Sequence, residues 1–366
     1  MSIELTHISE QEFENILYGQ MTPKMAAEYL KKENVSVRSF SNTLKNIYPS
    51  EDIRGRLNNF YMISQPGANA SSVDKKIRNW LTDRNQPTDR EDLYRIAFAL
   101  ELHEGALDYL LSLCSDYGIQ YRDGKELVLT WFLRSGYGYR EALEVYGNLP
   151  EAPGLESAEC NVTSRVTHEI HSGLQYIHTL PELENYYMKN LNRFGHLHLR
   201  SYHYFERFLS QLVHPTTPLG DDPADYSIDA VMKTYLSMSV PSDRCRRNFS
   251  LVQKLIKQNW PNATALKNIR SHNADVPRKL LLILYIATEN CIMSDRYSET
   301  DEEYATIEDR VNDHWWAINA MLNDCGMAGL DPRNAFDWLV LYAIAGDPEE
   351  AMSDRLEKVL EELYNN

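Results

Sequence analysis

KKIRNWLTDRNQPTDREDLYRIAFALEL, residues 75–102, decides the fold class of this 366-residue chain. Its first part closes a cationic helix over Ser72–Leu81. Val73, Ile77, Trp80 and Leu81 fall on one face, and Lys75, Lys76, Arg78 and Asn79 on the other. TDRNQPTD then breaks the period. Thr88 can cap the next helix, with Glu91 three residues on as the partner in a capping box. In that helix Leu93, Ile96, Ala97 and Leu100 recur at i, i+3, i+4 and i+7.

The same helical period extends in both directions. Thr22 and Pro23 open a helix over Met21–Glu33, because proline suits a first helical position. Arg38–Tyr48 and Ser50–Asn59 follow, and Ser64–Ser72 reads as a loop. Further helices fall at Ala106–Cys114, Glu126–Arg134, Tyr139–Leu149, Pro181–Phe194, Leu197–Val213, Ala230–Met238, Asn248–Gln258, Val276–Asn290, Asp301–Cys325, Ala335–Ala345 and Glu349–Tyr364. Gly326 occupies the position of a glycine just past a helix end. Trp315, Trp316, Phe336, Trp338 and Tyr342 read as C-terminal core. No sustained two-residue alternation is present, and Gly and Pro number only 16 and 15. The expected fold class is all-α.

The break and the helix after it resemble the repressor-like (Cro and phage-repressor type) helix-turn-helix family. There a recognition helix ends in a W-x-x-G-x-x-x-P type break, and a buried helix of I-A-x-A-L type follows. The matching residues are Trp80, Asn85, Pro87, Leu93, Ile96, Ala97, Ala99, Leu100 and Leu110, within Arg38–Cys114. Asp83–Asn85 replaces the usual glycine, and the Ser64–Ala70 loop is longer than the family's usual turn. The resemblance implies a recognition helix starting near Ser71. It would present Ser71, Ser72, Lys75, Lys76 and Asn79 to the groove and phosphates of duplex DNA, with Asp74 opposing them.

Charge is unevenly spread around a formal net of −16. Arg38–Leu100 holds ten bases and seven acids, about +3. Pro241–Leu280 holds nine bases against Asp243 and Asp275, about +7, while Asp295–Asn366 is about −13. Arg244, Arg246, Arg247, Lys254, Lys267 and Arg270 form a second basic patch. It suits either a phosphate backbone or the acidic C-terminal helices. FSNTLKNI (40–47) echoes FSLVQKLI (249–256), and KIRNWL…QPTDREDLYRIAFALE echoes ALKNIRSHNADVPRKLLLILYIATE. A diverged duplication or shared periodicity would each explain the echo. PEAPG (150–154) is the linker candidate. The expected organisation is a helical domain over 1–150 holding the repressor-like unit at about 38–114. A larger helical domain over 151–366 follows, with a diverged copy at about 241–290 as one reading.

Other chemistry is weakly marked. Seven of eleven histidines lie between His168 and His214, where HEIH and HLHLRSYH place His168 with His171 and His196, with Arg200, in a row with His203. Cys160, Glu169 or Glu206 could add ligands, but the H-E-x-x-H spacing is absent. Nucleophile-elbow, P-loop and dinucleotide glycine motifs are also absent, and Glu302 and Glu303 sit on a surface-like acidic face. No metal or cofactor is therefore expected. Cys114, Cys160, Cys245, Cys291 and Cys325 form no C-x-x-C pair and read as reduced cytoplasmic thiols. The N-terminus has no signal-peptide pattern, and LLLILYIA (280–287) is too short to cross a bilayer. The expectation is a non-enzymatic, cytoplasmic, DNA-associated regulator whose C-terminal domain dimerises or senses another protein. The alternative is a protein-interaction scaffold with a degenerate helix-turn-helix and no nucleic-acid contact. A helical metal-dependent enzyme is the third reading and rests on the histidines alone.

Overall fold

A computed structural model describes residues 7–32, 37–115, 117–152, 165–195, 199–213, 235–241, 249–297, 306–347 and 350–365. Among the described residues the chain is all-helical, with 18 α-helices and no strand. One isolated antiparallel bridge pairs Tyr117 with Met327. No described helix is long and apolar enough to cross a membrane. The linker residues Pro153–Gly154, Cys160, Ala230–Lys233, Arg244–Arg247 and Glu302–Glu303 lie outside the described residues.

The chain divides into two compact units, one inserted in the other. The inserted unit comprises 39–199 and 326–328, and the flanking unit comprises 1–38, 200–325 and 329–366. The inserted unit holds α3 (Phe40–Ile47), α4 (Ile53–Ser64), α5 (Ala70–Leu81), α6 (Arg90–Ala99), α7 (Glu104–Cys114), α8 (Gly124–Ser135), α9 (Tyr139–Asn148), α10 (Arg165–Leu174) and α11 (Leu180–Asn190). The flanking unit holds α1 (His7–Tyr18), α2 (Pro23–Lys31), α12 (Leu199–Val213), α13 (Leu251–Lys257), α14 (Ala263–Arg270), α15 (Arg278–Tyr297), α16 (Ile307–Asp324), α17 (Ala335–Ile344) and α18 (Met352–Tyr364).

Local chemistry sets these boundaries. The Thr22 side chain accepts a hydrogen bond from the Met25 amide, and Pro23 starts α2. Helix α4 runs to Ser64 and α5 begins at Ala70, so the intervening loop is Gln65–Asn69 rather than Ser64–Ser72. Asn69 is the reason: its side-chain oxygen accepts from the amides of Ser71 and Ser72, which draws both serines into the helix. The N-cap of α6 is Asp89 and not Thr88. Its carboxylate accepts from the Glu91 amide at 2.9 Å. Glu91 cannot complete a box, because its own carboxylate receives Arg95, Lys125 and Tyr139. Helix α1 escaped the period because its buried side carries Ser9 and Glu12 beside Phe13, Ile16 and Leu17.

Each unit closes on its own core. In the inserted unit Tyr61, Tyr94, Trp131, Phe132, Tyr187 and Phe194 are buried with the leucines of α6–α8. In the flanking unit Leu280–Leu284 and all ten residues of α17 are buried. Trp315 belongs to that core, but Trp316 is 44% exposed: the i+1 position points to another side of the helix.

The two cores share one polar arrangement. Arg90, the first residue of α6, forks onto Glu126, the third residue of α8, at 2.5 and 2.7 Å. The same guanidinium donates to the carbonyls of Tyr117 and Gly118, and Glu126 accepts from the Gln120 amide at 2.9 Å. Arg278, the first residue of α15, forks onto Asp337, the third residue of α17, at 2.6 and 2.8 Å. It also donates to the Gly329 carbonyl, and Asp337 accepts from the Asp331 amide at 2.9 Å. Asp108 receives the Ile119 amide, and Asn319 receives the Leu330 amide, both at 2.8 Å. The N-caps are Asp123 and Asn334. Behind these contacts lies a shared pattern, C-x-x-x-G-[I/L]-x-x-R-[D/N]-x-x-[E/D], at 114–126 and 325–337.

Asp337→Ala strands the buried Arg278 guanidinium and is expected to cost about 3–5 kcal/mol, read by urea unfolding. Lys32→Ala, which removes an exposed i,i+4 pair with Glu28, is expected to cost under about 0.5 kcal/mol. Equal losses would contradict the assignment. Buried tyrosines supply a second test. Burial, first among the causes, raises Tyr61, Tyr94, Tyr121, Tyr139 and Tyr364 above their ordinary value, and Tyr187 and Tyr342 to about 12. A phenol raised on folding contributes stability that is complete below about pH 10, the unfolded value, and is lost as pH climbs further. Stability is therefore expected to fall above pH 10, with phenolate absorbance at 295 nm appearing only as the chain unfolds.

Candidate nucleic-acid interface

Helix α5 carries the residues marked from the sequence. Its apolar row, Val73, Ile77 and Trp80, is buried against Tyr61 and the rest of the inserted core. Each of the larger side chains contributes roughly 1.5–3 kcal/mol of burial, which fixes the rotation of the helix. The opposite side is thereby turned to solvent. Ser71, Ser72, Lys75, Lys76 and Arg78 are exposed, and Asn79 is half-buried. Ser72, Lys75 and Asn79 fall in one row at i, i+3 and i+7.

Pair formation divides these polar residues. The Ser71 hydroxyl donates to the Asn69 side chain at 2.6 Å. Asp74 receives a fork from Arg54 at 2.9 and 2.7 Å and a third bond from the Asn58 amide nitrogen at 3.0 Å. The Arg54 hydrogen bond is the main cause holding the Asp74 carboxyl below its ordinary range. The acid on this surface is thus matched from α4. Lys76 turns sideways: its ammonium lies 2.7 and 2.9 Å from the two oxygens of buried Asp92 and over the Tyr61 and Trp80 rings, at 5.6 and 5.0 Å. Asp92 also receives the Tyr61 hydroxyl and Arg95. Lys76 is therefore a structural cation, and Lys75 and Arg78 carry the outward charge.

The second basic patch divides in the same way. Arg244, Arg246 and Arg247 lie outside the described residues. Lys254 is exposed on α13, and Lys267 and Arg270 are exposed on α14. Two other cations of that window are engaged. Arg278 forks onto Asp337, and Lys279 donates to the carbonyls of Leu255, Ile256 and Gln258 at the end of α13. A lysine there satisfies orphan carbonyls and opposes the negative end of the helix dipole.

The histidines are distributed. His171 stacks on Tyr121 at 4.2 Å, and its Nε2 lies 3.4 Å from Glu104, which also receives the Tyr121 hydroxyl and faces Arg134. His168 meets Ser172, and His203 is exposed on α12. His196, His198 and His214 lie outside the described residues. Among the described residues no three His, Cys, Asp or Glu side chains converge on a metal-sized site. Burial pushes the Cys114 thiol up, and it pushes Cys325 up to about 12, so neither is poised as a thiolate.

Sequence reasoning located the face but not its internal pairing, because Lys76 and Asp92 are sixteen positions apart and meet only through the fold. The stacked His171 and the Lys279 cap carried no motif. No family model, no curated protein and no solved structure matches this chain.

Lys76→Glu places a carboxylate against buried Asp92 and is expected to destabilise the protein by about 1–3 kcal/mol. Lys75→Glu is expected to stay within about 0.5 kcal/mol of the parent. Thermal melts of the two variants check this, and a Lys76→Glu melt matching the parent would remove the structural role.

Proposed function

We propose that the protein is a non-enzymatic, DNA-associated regulator that contacts duplex DNA through the exposed side of α5. One observation carries this reading. The outward row of Ser72, Lys75 and Asn79, with Ser71 and Arg78 beside it, has its nearest acid, Asp74, already forked to Arg54. A face with lysine and arginine for phosphates and an amide for a base edge has the composition that backbone positioning and adenine readout use. The helix order α3–α7 supports the repressor-like resemblance. Helix α5 packs on α3 and α4, α6 packs on α4 and α7, and α7 returns to α3. Partner sensing or dimerisation is assigned to the flanking unit. Free, buried Cys114 and Cys325 fit work in a reducing cytoplasm.

A second reading, a protein-interaction scaffold, draws on a different observation. Met62 and Ile63, at the end of α4, are exposed apolar side chains.

Fluorescence anisotropy with a labelled duplex across a salt series separates the two. Binding at about 50 mM salt is expected, weakening steeply as salt rises. Lys75→Glu/Arg78→Glu is expected to reduce the magnitude of the log–log salt slope by about 2. This pair is chosen over Lys76 because it leaves the Asp92 contact intact. No binding by the parent at about 50 mM salt, where phosphate contacts are strongest, removes the regulator and leaves the scaffold.

A further inference from the structure

Helix α14 ends as α5 ends. In α5 the closing bonds run from Thr82 N to Arg78 O, Asp83 N to Trp80 O and Arg84 N to Asn79 O, at 3.1, 3.3 and 3.0 Å. In α14 they run from Ser271 N to Lys267 O, His272 N to Ile269 O and Asn273 N to Asn268 O, at 3.0, 2.9 and 2.9 Å. Asp83 and His272 occupy the same place in the two turns, and both are left-handed, with φ of 53° and 57°. A left-handed conformation at a non-glycine residue is uncommon, so its recurrence at one register is specific. Each turn then leads to a helix whose first residue is the forking arginine, Arg90 or Arg278. Beyond it the packing order also recurs: α6 on α7 and α8, with α8 on α9, and α15 on α16 and α17, with α17 on α18.

That register places Lys267 where α5 has Arg78, and Asn268 where it has Asn79. Leu266 and Ile269 are buried where Ile77 and Trp80 are buried. The outward side of α14 carries Lys267, Asn268 and Arg270, all exposed, and the helix itself contains no acid. A cation and an amide therefore recur side by side, turned outward, on the same helix of the same arrangement. Packing does not require this, because the outward residues bury nothing.

We propose that α14–α18 is an internal duplicate of α5–α9, and that α14 is a second DNA-contacting helix whose Lys267 and Arg270 take phosphates. This rests on the reading of α5 as a DNA-contacting helix. The chain then carries two contact helices, one in each unit, and its salt dependence is the sum of both.

The test uses the full-length protein and the labelled duplex, comparing the parent, Lys75→Glu/Arg78→Glu, Lys267→Glu/Arg270→Glu and the four-fold variant. The α14 pair is expected to weaken binding by about tenfold or more and to take about 2 units from the salt slope, with the four-fold variant losing both increments. An α14 pair that binds like the parent, while the α5 pair loses affinity, overturns the second helix and leaves the first. A parent that binds no duplex at about 50 mM salt overturns both. If the glutamate pair fails to fold by circular dichroism, Lys267→Ala/Arg270→Ala is read instead. A salt slope unchanged in that variant overturns the proposal.

Discussion

The buried arginine–carboxylate fork is the constraint on which each unit depends. A guanidinium taken out of water is expensive, and one carboxylate does not satisfy its five donors. Arg90 and Arg278 therefore also claim backbone carbonyls in the turn before the carboxylate-bearing helix, at Gly118 and Gly329. The carboxylate in turn accepts an amide from that turn. The start of one helix, a connecting turn and the start of another helix are locked by one closed set of bonds. Apolar packing gives these cores most of their stability, but it is non-directional. The fork supplies direction. It specifies which helix ends meet and how far each helix is rotated.

That rotation governs the outer surface. Once α6 is fixed by Arg90, Asp92 faces inward and needs a cation, and Lys76 supplies it from α5. The electrostatic face of α5 is what remains after this demand and the Arg54–Asp74 fork are met. A sum of charges along Arg38–Leu100 treats all ten bases alike. The fold does not. Some hold the core together, and the others meet solvent.

Helix positions were legible because capping and apolar period are local. Thr22 with Pro23 placed α2, and Leu93, Ile96, Ala97 and Leu100 placed α6. Caps were less legible where two candidates adjoin: Thr88 and Asp89 are both good caps, and the demands on Glu91 from Arg95, Lys125 and Tyr139 decided between them. Ser71, Ser72, Lys75 and Asn79 were readable as an outward face, while the inward use of Lys76 was not, since nothing local ties position 76 to position 92. The C-x-x-x-G repeat at 114–126 and 325–337 lay in the sequence in plain form. It was missed because apolar periodicity ranks leucines above the glycine, arginine and acid that set the turn.

The two forks differ by one methylene, since Glu126 serves Arg90 and Asp337 serves Arg278. A chain with two similar modules must keep their parts from pairing wrongly as it folds. Placed against the other arginine, Glu126 would overreach and Asp337 would fall short. Either mismatch would bury a half-satisfied charge, which is worse than none. The length of a single side chain thus acts as an address, directing each helix to the partner of its own module.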